Sequence, residues 1–377
     1  MIGGDGRFSL GLAVLGAGAV VVDRHLPALR ALGGQAVSVF DPDRRAAARA
    51  ARLFEIPKIA TSAEQAAEAD GVDAVLIASP NAFHRQQCDL ALARGRHVLC
   101  EKPIALTLRD AEQMAAGAEQ RGLVLQVGFH HRFSSEHLCV KELLASGAAG
   151  KVKAFSGVIC EPMDVIPGGV ENYRFSSRDG GGFTLIDVGQ HRIDQILDLF
   201  GPVAEVSCEM ASVLPSHNLD DSVILTLRMQ SGAIGSLNWH RFSRAFASPM
   251  MLFGTKATLG CSAFITGPYQ SAPVSIYVDD SPETALPPSI MALARPDRWW
   301  GELQAGWISL WPPRVDTFQE QLLSFQRSIV EGRPPVAGGD DGRRAVEVVQ
   351  AAYRSYRERR TVTVAGDPGR HEDPPTW

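Results

Sequence analysis

Leu10-Gly11-Leu12-Ala13-Val14-Leu15-Gly16-Ala17-Gly18 joins a short apolar run directly to a glycine turn. A run of that length without polar interruption is what a parallel strand buried on both faces requires. The glycines permit a tight turn and a close approach of backbone N–H groups to an anion at the start of the next helix. Gly16, Ala17, Gly18, Ala19 and Val20 are therefore a candidate dinucleotide-pyrophosphate site. Val21 stands where the usual fingerprint has a third small residue, so the turn alone is a weak signal. Asp41 strengthens it. It ends the next strand, 25 positions after Gly16, where a carboxylate can take the hydroxyls of a ribose. The plain alternative for Asp41 is a cap on the helix that starts near Asp43. A carboxylate repels a 2′-phosphate, which favours NAD; Arg44 and Arg45 next to it leave NADP open.

Outward from this turn, strand-like and helix-like segments alternate. Strands are predicted over 36–40, 74–78, 97–100 and 124–127, with helices over 23–32, 43–54, 83–94 and 108–121. This βαβα order predicts an α/β fold, a doubly wound parallel sheet occupying residues 1–130. Beyond it the rhythm changes. Helices are predicted over 136–146, 184–200, 317–331 and 343–357. Longer β-like runs cover 152–159, 203–213, 222–229 and 233–240. Residues 131–377 therefore read as an α+β unit with a large, mostly antiparallel open sheet.

The bulk numbers exclude several classes of function. The chain has 377 residues, enough for two domains, with 45% apolar and 21% charged residues. A formal net charge of −5 and the lack of a basic run argue against nucleic-acid binding. The glycine-interrupted stretch 8–22 is a poor signal peptide, and no other stretch approaches a membrane span. Cys88, Cys100, Cys139, Cys160, Cys208 and Cys261 form no Cys-x-x-Cys pair, which reads as reduced thiols in a cytoplasmic protein.

Two clusters carry chemistry. Glu101-Lys102-Pro103 follows a predicted parallel strand, at the edge where ligands sit in open α/β sheets. A lysine there can hydrogen-bond a reacting oxygen; the plain alternative is a solvated strand-end lysine. In Gly181-Gly182-Phe183-Thr184-Leu185-Ile186-Asp187-Val188-Gly189-Gln190-His191, Asp187 and His191 are four apart, hence on one helix face. A carboxylate and an imidazole projecting together can orient a hydroxyl and move its proton. With no second histidine or cysteine near in sequence, no metal site is expected.

These residues resemble the glucose–fructose oxidoreductase, inositol dehydrogenase and rhizopine-catabolism family, often written Gfo/Idh/MocA. The resemblance spans nearly the whole chain. It runs through Gly16-Ala17-Gly18, Ser79-Pro80-Asn81 with His84, Glu101-Lys102-Pro103, Gly128-Phe129 with Arg132, the segment from Gly181 to His191, and Ala351-Ala352-Tyr353. It implies a sugar or cyclitol substrate oxidised at a secondary alcohol, with Lys102 and His191 handling the hydroxyl proton and Asp187 holding the substrate. Ser79, Pro80, Asn81, His84, Glu101 and Lys102 would lie at the cofactor, and Arg132 near the substrate. It also implies a homodimer or homotetramer. On the same scaffold, the alternatives are an NAD-recycling glycoside hydrolase and a non-catalytic dinucleotide-binding protein. Trp299, Trp300, Trp307 and Trp311 depart from the family pattern; they are read as a subunit interface or satellite core ahead of a substrate-covering loop.

Overall fold

The computed structural model describes residues 7–162, 173–213, 219–243, 246–263, 272–278, 286–295 and 306–364. The first sheet holds six parallel strands: β1 Leu12–Leu15, β2 Ala36–Phe40, β3 Lys58–Ile59, β4 Ala74–Ile77, β5 His97–Cys100 and β6 Leu125–Val127. Their spatial order is β3-β2-β1-β4-β5-β6, so the chain reverses its direction of travel between β1 and β4. That reversal opens a crevice at the carboxyl ends of these two strands. All four residues of β1 and all four of β4 are buried, which is why neither strand alternates. Each fully buried Leu, Ile or Val contributes about 1.5–3 kcal/mol. The short edge strand β3 was not foreseen, because two residues carry no periodicity.

The second sheet has ten strands: β7 Val152–Cys160, β8 Val203–Ala211, β9 Ser222–Met229, β10 Ile234–His240, β11 Ser248–Gly254, β12 Thr258–Ala263, β13 Val274–Val278, β14 Ala294–Arg295, β15 Gly306–Leu310 and β16 Val362–Thr363. Every pairing is antiparallel except β10 with β7. Along β9 the burial alternates: Val223, Leu225, Leu227 and Met229 face in, while Ile224, Thr226 and Arg228 face out. The inner face packs on the helices Gln190–Phe200 and Gly339–Glu358. Strands β11, β12, β13 and β15 went unread in the sequence: Pro249 and Gly254 fall in β11 and Gly260 in β12, while β13 and β15 are only five residues each.

The chain returns to the first sheet at its C-terminal end. Phe318, Leu322, Leu323 and Phe325 of the Thr317–Val330 helix share a core with Leu12, Val14, Leu76 and Leu99. Val127 N–H donates to Ala337 C=O at 2.8 Å beside it. The Gly339–Glu358 helix starts four residues earlier than predicted. Gly338-Gly339 looks like loop in sequence, but the Asp341 carboxylate accepts from Gly338 N–H at 2.8 Å and caps that turn.

Arg132 ties the segment that follows β6 to the helices of the second unit. Its Nε and Nη2 donate to Asp194 at 2.6–3.0 Å, Nη2 reaches Asp341 at 3.1 Å, and Nη1 donates to Val336 C=O at 2.7 Å. Burial raises the Asp194 pKa; the Arg132 charge and hydrogen bonds oppose it, and Arg132's own pKa is raised by its aspartates. We expect Arg132→Ala to strand a buried carboxylate and lower the unfolding free energy by about 3–5 kcal/mol in urea denaturation. A loss under about 1 kcal/mol would show that the network is dispensable.

Candidate active site

Gly16 sits at the crevice with φ of +99°, a left-handed conformation that disfavours a side chain. Its N–H donates to Phe40 C=O at 2.8 Å, and a β-carbon there would lie 2.5 Å from the Ala78 carbonyl oxygen. Glycine thus lets the ends of β1 and β4 meet. A β-carbon on Gly18 would meet nothing within 4 Å, so the turn carries open space above it. Asp41 accepts from Ala17 N–H at 2.7 Å and from Asp43 N–H at 2.8 Å, which holds its carboxylate against the turn. Asp43 caps the following helix by accepting from Arg45 N–H, so the cap role falls to Asp43 itself. An open anion cradle with a carboxylate beside it fits a dinucleotide.

The residues expected around the cofactor separate into two groups. Gly18, Ala19, Val20 and Lys102 line a cavity of about 620 Å³ together with Ala78, Asp187 and His191. The others turn into the protein. Ser79 Oγ donates to Gln87 at 2.8 Å, and Asn81 Nδ2 donates to Gly180 C=O at 3.0 Å. The His84 ring lies between the Pro103 and Ser79 carbonyls at 2.8 and 2.9 Å. Glu101 accepts from His25 Nε2 at 2.7 Å and from Lys102 N–H at 3.2 Å. Burial pushes the Glu101 pKa up, but His25 and Lys102 bring it below the ordinary carboxylate value. Pro80 precedes the 3₁₀ turn Asn81–Phe83. None of these five residues is among those that line the cavity. Arg132, expected near the substrate, is absent from the cavity lining because its donors are committed to Asp194, Asp341 and Val336.

Asp187 lies in a π-helical turn, Thr184–Gly189, that runs into the Gln190–Phe200 helix carrying His191. The Asp220 carboxylate fixes that turn by accepting from Phe183 and Leu185 N–H at 2.9 Å each. Lys102 Nζ donates to Asp187 Oδ1 at 2.8 Å, bringing the strand-end lysine of the first sheet to the second unit. Arg174 and Arg241 approach Asp187 Oδ2 at 3.4 and 3.5 Å. Burial alone would raise the Asp187 pKa; the three cations hold it well below the ordinary range.

His191 keeps company that the sequence did not disclose. His131 stacks on it at 4.4 Å between centroids, and His130 meets both rings edge-on. His130 is itself stacked on Phe318, and its Nδ1 is 2.9 Å from Thr317 Oγ1. Burial first, and then the charges of neighbouring cations, depress all three histidines; His131 falls to about 3 and His191 well below 6.5. Each is a neutral imidazole at physiological pH. Their donor atoms lie within 4.8 Å of one another, nearer than the sequence spacing suggested. The His131 and His191 planes are only 15° apart, so the two rings are held face to face as a stack.

A family model described as an oxidoreductase family with an NAD-binding Rossmann fold matches residues 10–129, and the GFO/IDH/MocA C-terminal domain matches residues 137–260. The dTDP-3,4-didehydro-2,6-dideoxy-alpha-D-glucose 3-reductase of Streptomyces antibioticus is 31% identical over 74% of this chain and 84% of its own. The chain belongs to the GFO/IDH/MocA oxidoreductase family. The 1,5-anhydro-D-fructose reductase of Ensifer adhaerens is 29% identical over 65% of this chain and 74% of its own. A structure of levoglucosan dehydrogenase in complex with NADH and levoglucosan shares the fold, with a TM-score of 0.79 and 20% identity, covering 95% of this chain and 100% of that one. The chain is thus an oxidoreductase with an NAD-binding Rossmann domain. Among the described residues, no helix is long and apolar enough to cross a membrane.

The cavity also takes Tyr173, Arg174, Arg192 and Arg241, none of which was singled out in the sequence. Arg192 had a signal, its place directly after His191; Arg241 had none beyond following a strand. Gly16→Ala would force a side chain into the left-handed turn and against Ala78. We expect it to cost about 1–3 kcal/mol of backbone strain. Calorimetric titration should show a large loss of NAD affinity, and wild-type affinity in this variant would refute the placement of the pyrophosphate.

Proposed function

We propose that this protein interconverts a secondary alcohol and a ketone on a sugar, sugar derivative or cyclitol, with NAD as the redox partner. The observation that carries the reading is that Lys102, Asp187 and His191 line one cavity with the glycine turn of β1. When bound, NAD supplies the hydride acceptor at its nicotinamide. Gly16 to Val20 hold the pyrophosphate and Asp41 the ribose. Lys102, oriented by Asp187, donates a hydrogen bond to the substrate oxygen. The neutral His191 imidazole accepts the hydroxyl proton during oxidation and returns it during reduction. Asp187 positions an adjoining hydroxyl.

Lys102→Ala and His191→Ala should each lower kcat by about 10²–10⁴-fold and leave NAD affinity unchanged. Because burial has already taken His191 well below 6.5, lowering the pH through 6.5 should not cost the oxidation rate its base. The acid limb of the profile belongs at lower pH. Turnover at the wild-type rate without His191 would end this assignment. Accumulation of NADH with substrate separates the reading from an NAD-recycling hydrolase, which gives none.

The same reading includes a homo-oligomer. Ile224, Ile234, Phe253, Tyr277 and Trp307 are all exposed, and the register of β9, β10, β7, β11, β12, β13 and β15 puts them on one outer face of the large sheet. A broad apolar face of this kind is a subunit contact. Trp307 packs edge-on to Tyr277 there; Trp311 follows β15, and Trp299 and Trp300 lie outside the described residues. Light scattering at micromolar concentration should give a dimer or tetramer, and Trp307→Asp should shift it toward smaller species. A wild-type monomer would overturn the assignment.

A further inference from the structure

Among the described residues, the cavity lining carries more positive charge than its carboxylates balance. Lys102, Arg174, Arg192 and Arg241 line it, against Asp187 and Glu161. Three of the cations are accounted for. Lys102, Arg174 and Arg241 share Asp187, and Arg241 also lies 3.5 Å from Glu161. Arg192 remains. It is 7% exposed, and its guanidinium donates to the Ser248 carbonyl at 3.2 Å and to the Ser248 hydroxyl, with Met250 Sδ at 3.9 Å. It makes no ion pair with any described carboxylate. Arg132, equally buried one layer away, is met by Asp194, Asp198 and Asp341.

A buried guanidinium without a counter-charge is among the costliest arrangements a fold can keep. Burial pulls the Arg192 pKa down, and only Cys261 opposes it. His131 and His191 on the same wall are imidazoles and bring no negative charge in either protonation state. The pyridinium of oxidised NAD would add one more positive charge at this end of the crevice. All of these costs fall if the substrate brings an anion. Arg192 is also well placed for it, next in sequence to His191 on the wall of the same cavity.

We propose that the substrate is an anionic polyol, a secondary alcohol carrying a carboxylate or phosphate that is received by Arg192 while the reacting hydroxyl meets Lys102 and His191. The proposal rests on the dehydrogenase reading of this cavity. It assigns Arg192 as the residue that selects for charge.

Initial rates with NAD test it across matched sets: neutral aldoses and cyclitols, the aldonates and uronates of the same skeletons, and their phosphate monoesters. One anionic set should exceed its neutral parents in kcat/KM by at least about tenfold, the factor that a charge-assisted hydrogen bond to a buried arginine supplies. The winning set distinguishes carboxylate from phosphate. Arg192→Gln should erase the preference mainly by raising KM for the anionic set, and Arg192→Lys should restore part of it. Neutral parents oxidised as efficiently as their acids, or a preference that survives Arg192→Gln, would overturn the proposal. If no compound is oxidised, the dehydrogenase reading fails instead. The melting temperature of the NAD-loaded protein then decides the anion site on its own: a rise with the aldonate, uronate or sugar phosphate that Arg192→Gln abolishes supports it, and no rise overturns it.

Discussion

The Arg132 guanidinium is the point from which the rest of the site is positioned. It leaves the segment that ends the first sheet, enters a buried pocket, and binds Asp194 on the Gln190–Phe200 helix and Asp341 on the Gly339–Glu358 helix. A charge removed from water must be met by opposite charge and by hydrogen bonds, and here both come from residues far along the chain, Asp194, Val336 and Asp341. The helix that carries His191 is thereby held in fixed register against the strand ends that carry Lys102. The second link, Lys102 to Asp187, closes the seam at the cavity itself. The same C-terminal helices that complete the ion network also pack on the two sheets, so neither unit's core is finished by its own stretch of sequence.

The two buried ion systems have different characters. At Arg132 the charges are paired and the guanidinium is stabilised in its ionised form. Among the described residues of the cavity, one carboxylate serves three cations and Arg192 has none. Clustering cations beside buried imidazoles has a direct chemical result. His130, His131 and His191 stay neutral at physiological pH, first because they are buried and then because each proton would add charge to a site already rich in it. A site of this kind keeps a proton acceptor ready and is electrostatically complementary to a negative ligand.

Much of the scaffold was legible in the amino-acid sequence. The strand run 12–15, the glycines after it, Asp41 and the alternating elements to residue 127 declare a doubly wound sheet, because local periodicity and turn chemistry fix those elements. Asp187 and His191 declare themselves by their spacing of four, and Lys102 by its position at a strand end. The strands from 248 to 310 were not legible, since proline and glycine fall within β11 and β12, while β13 and β15 are only five residues each, and their stability comes from neighbours in the sheet. Expected side-chain destinations also shifted. Arg132, His84 and Glu101 were placed at ligands by resemblance, yet each has its polar atoms engaged inside the protein.

The sequence by itself determined the cofactor turn, the order of the first sheet's elements and the identity of three polar residues bound for one cleft. These depend on spacing within a few residues or on backbone conformations that only glycine tolerates. The tertiary structure alone decided which charges neutralise one another. Arg132 and Arg192 are both buried arginines, and nothing in the neighbouring sequence says that one will find three aspartates while the other, at the cavity wall, pairs with no described carboxylate. Ion pairing depends on distances of a few ångströms between residues far apart in the chain, and those distances exist only once both cores have packed.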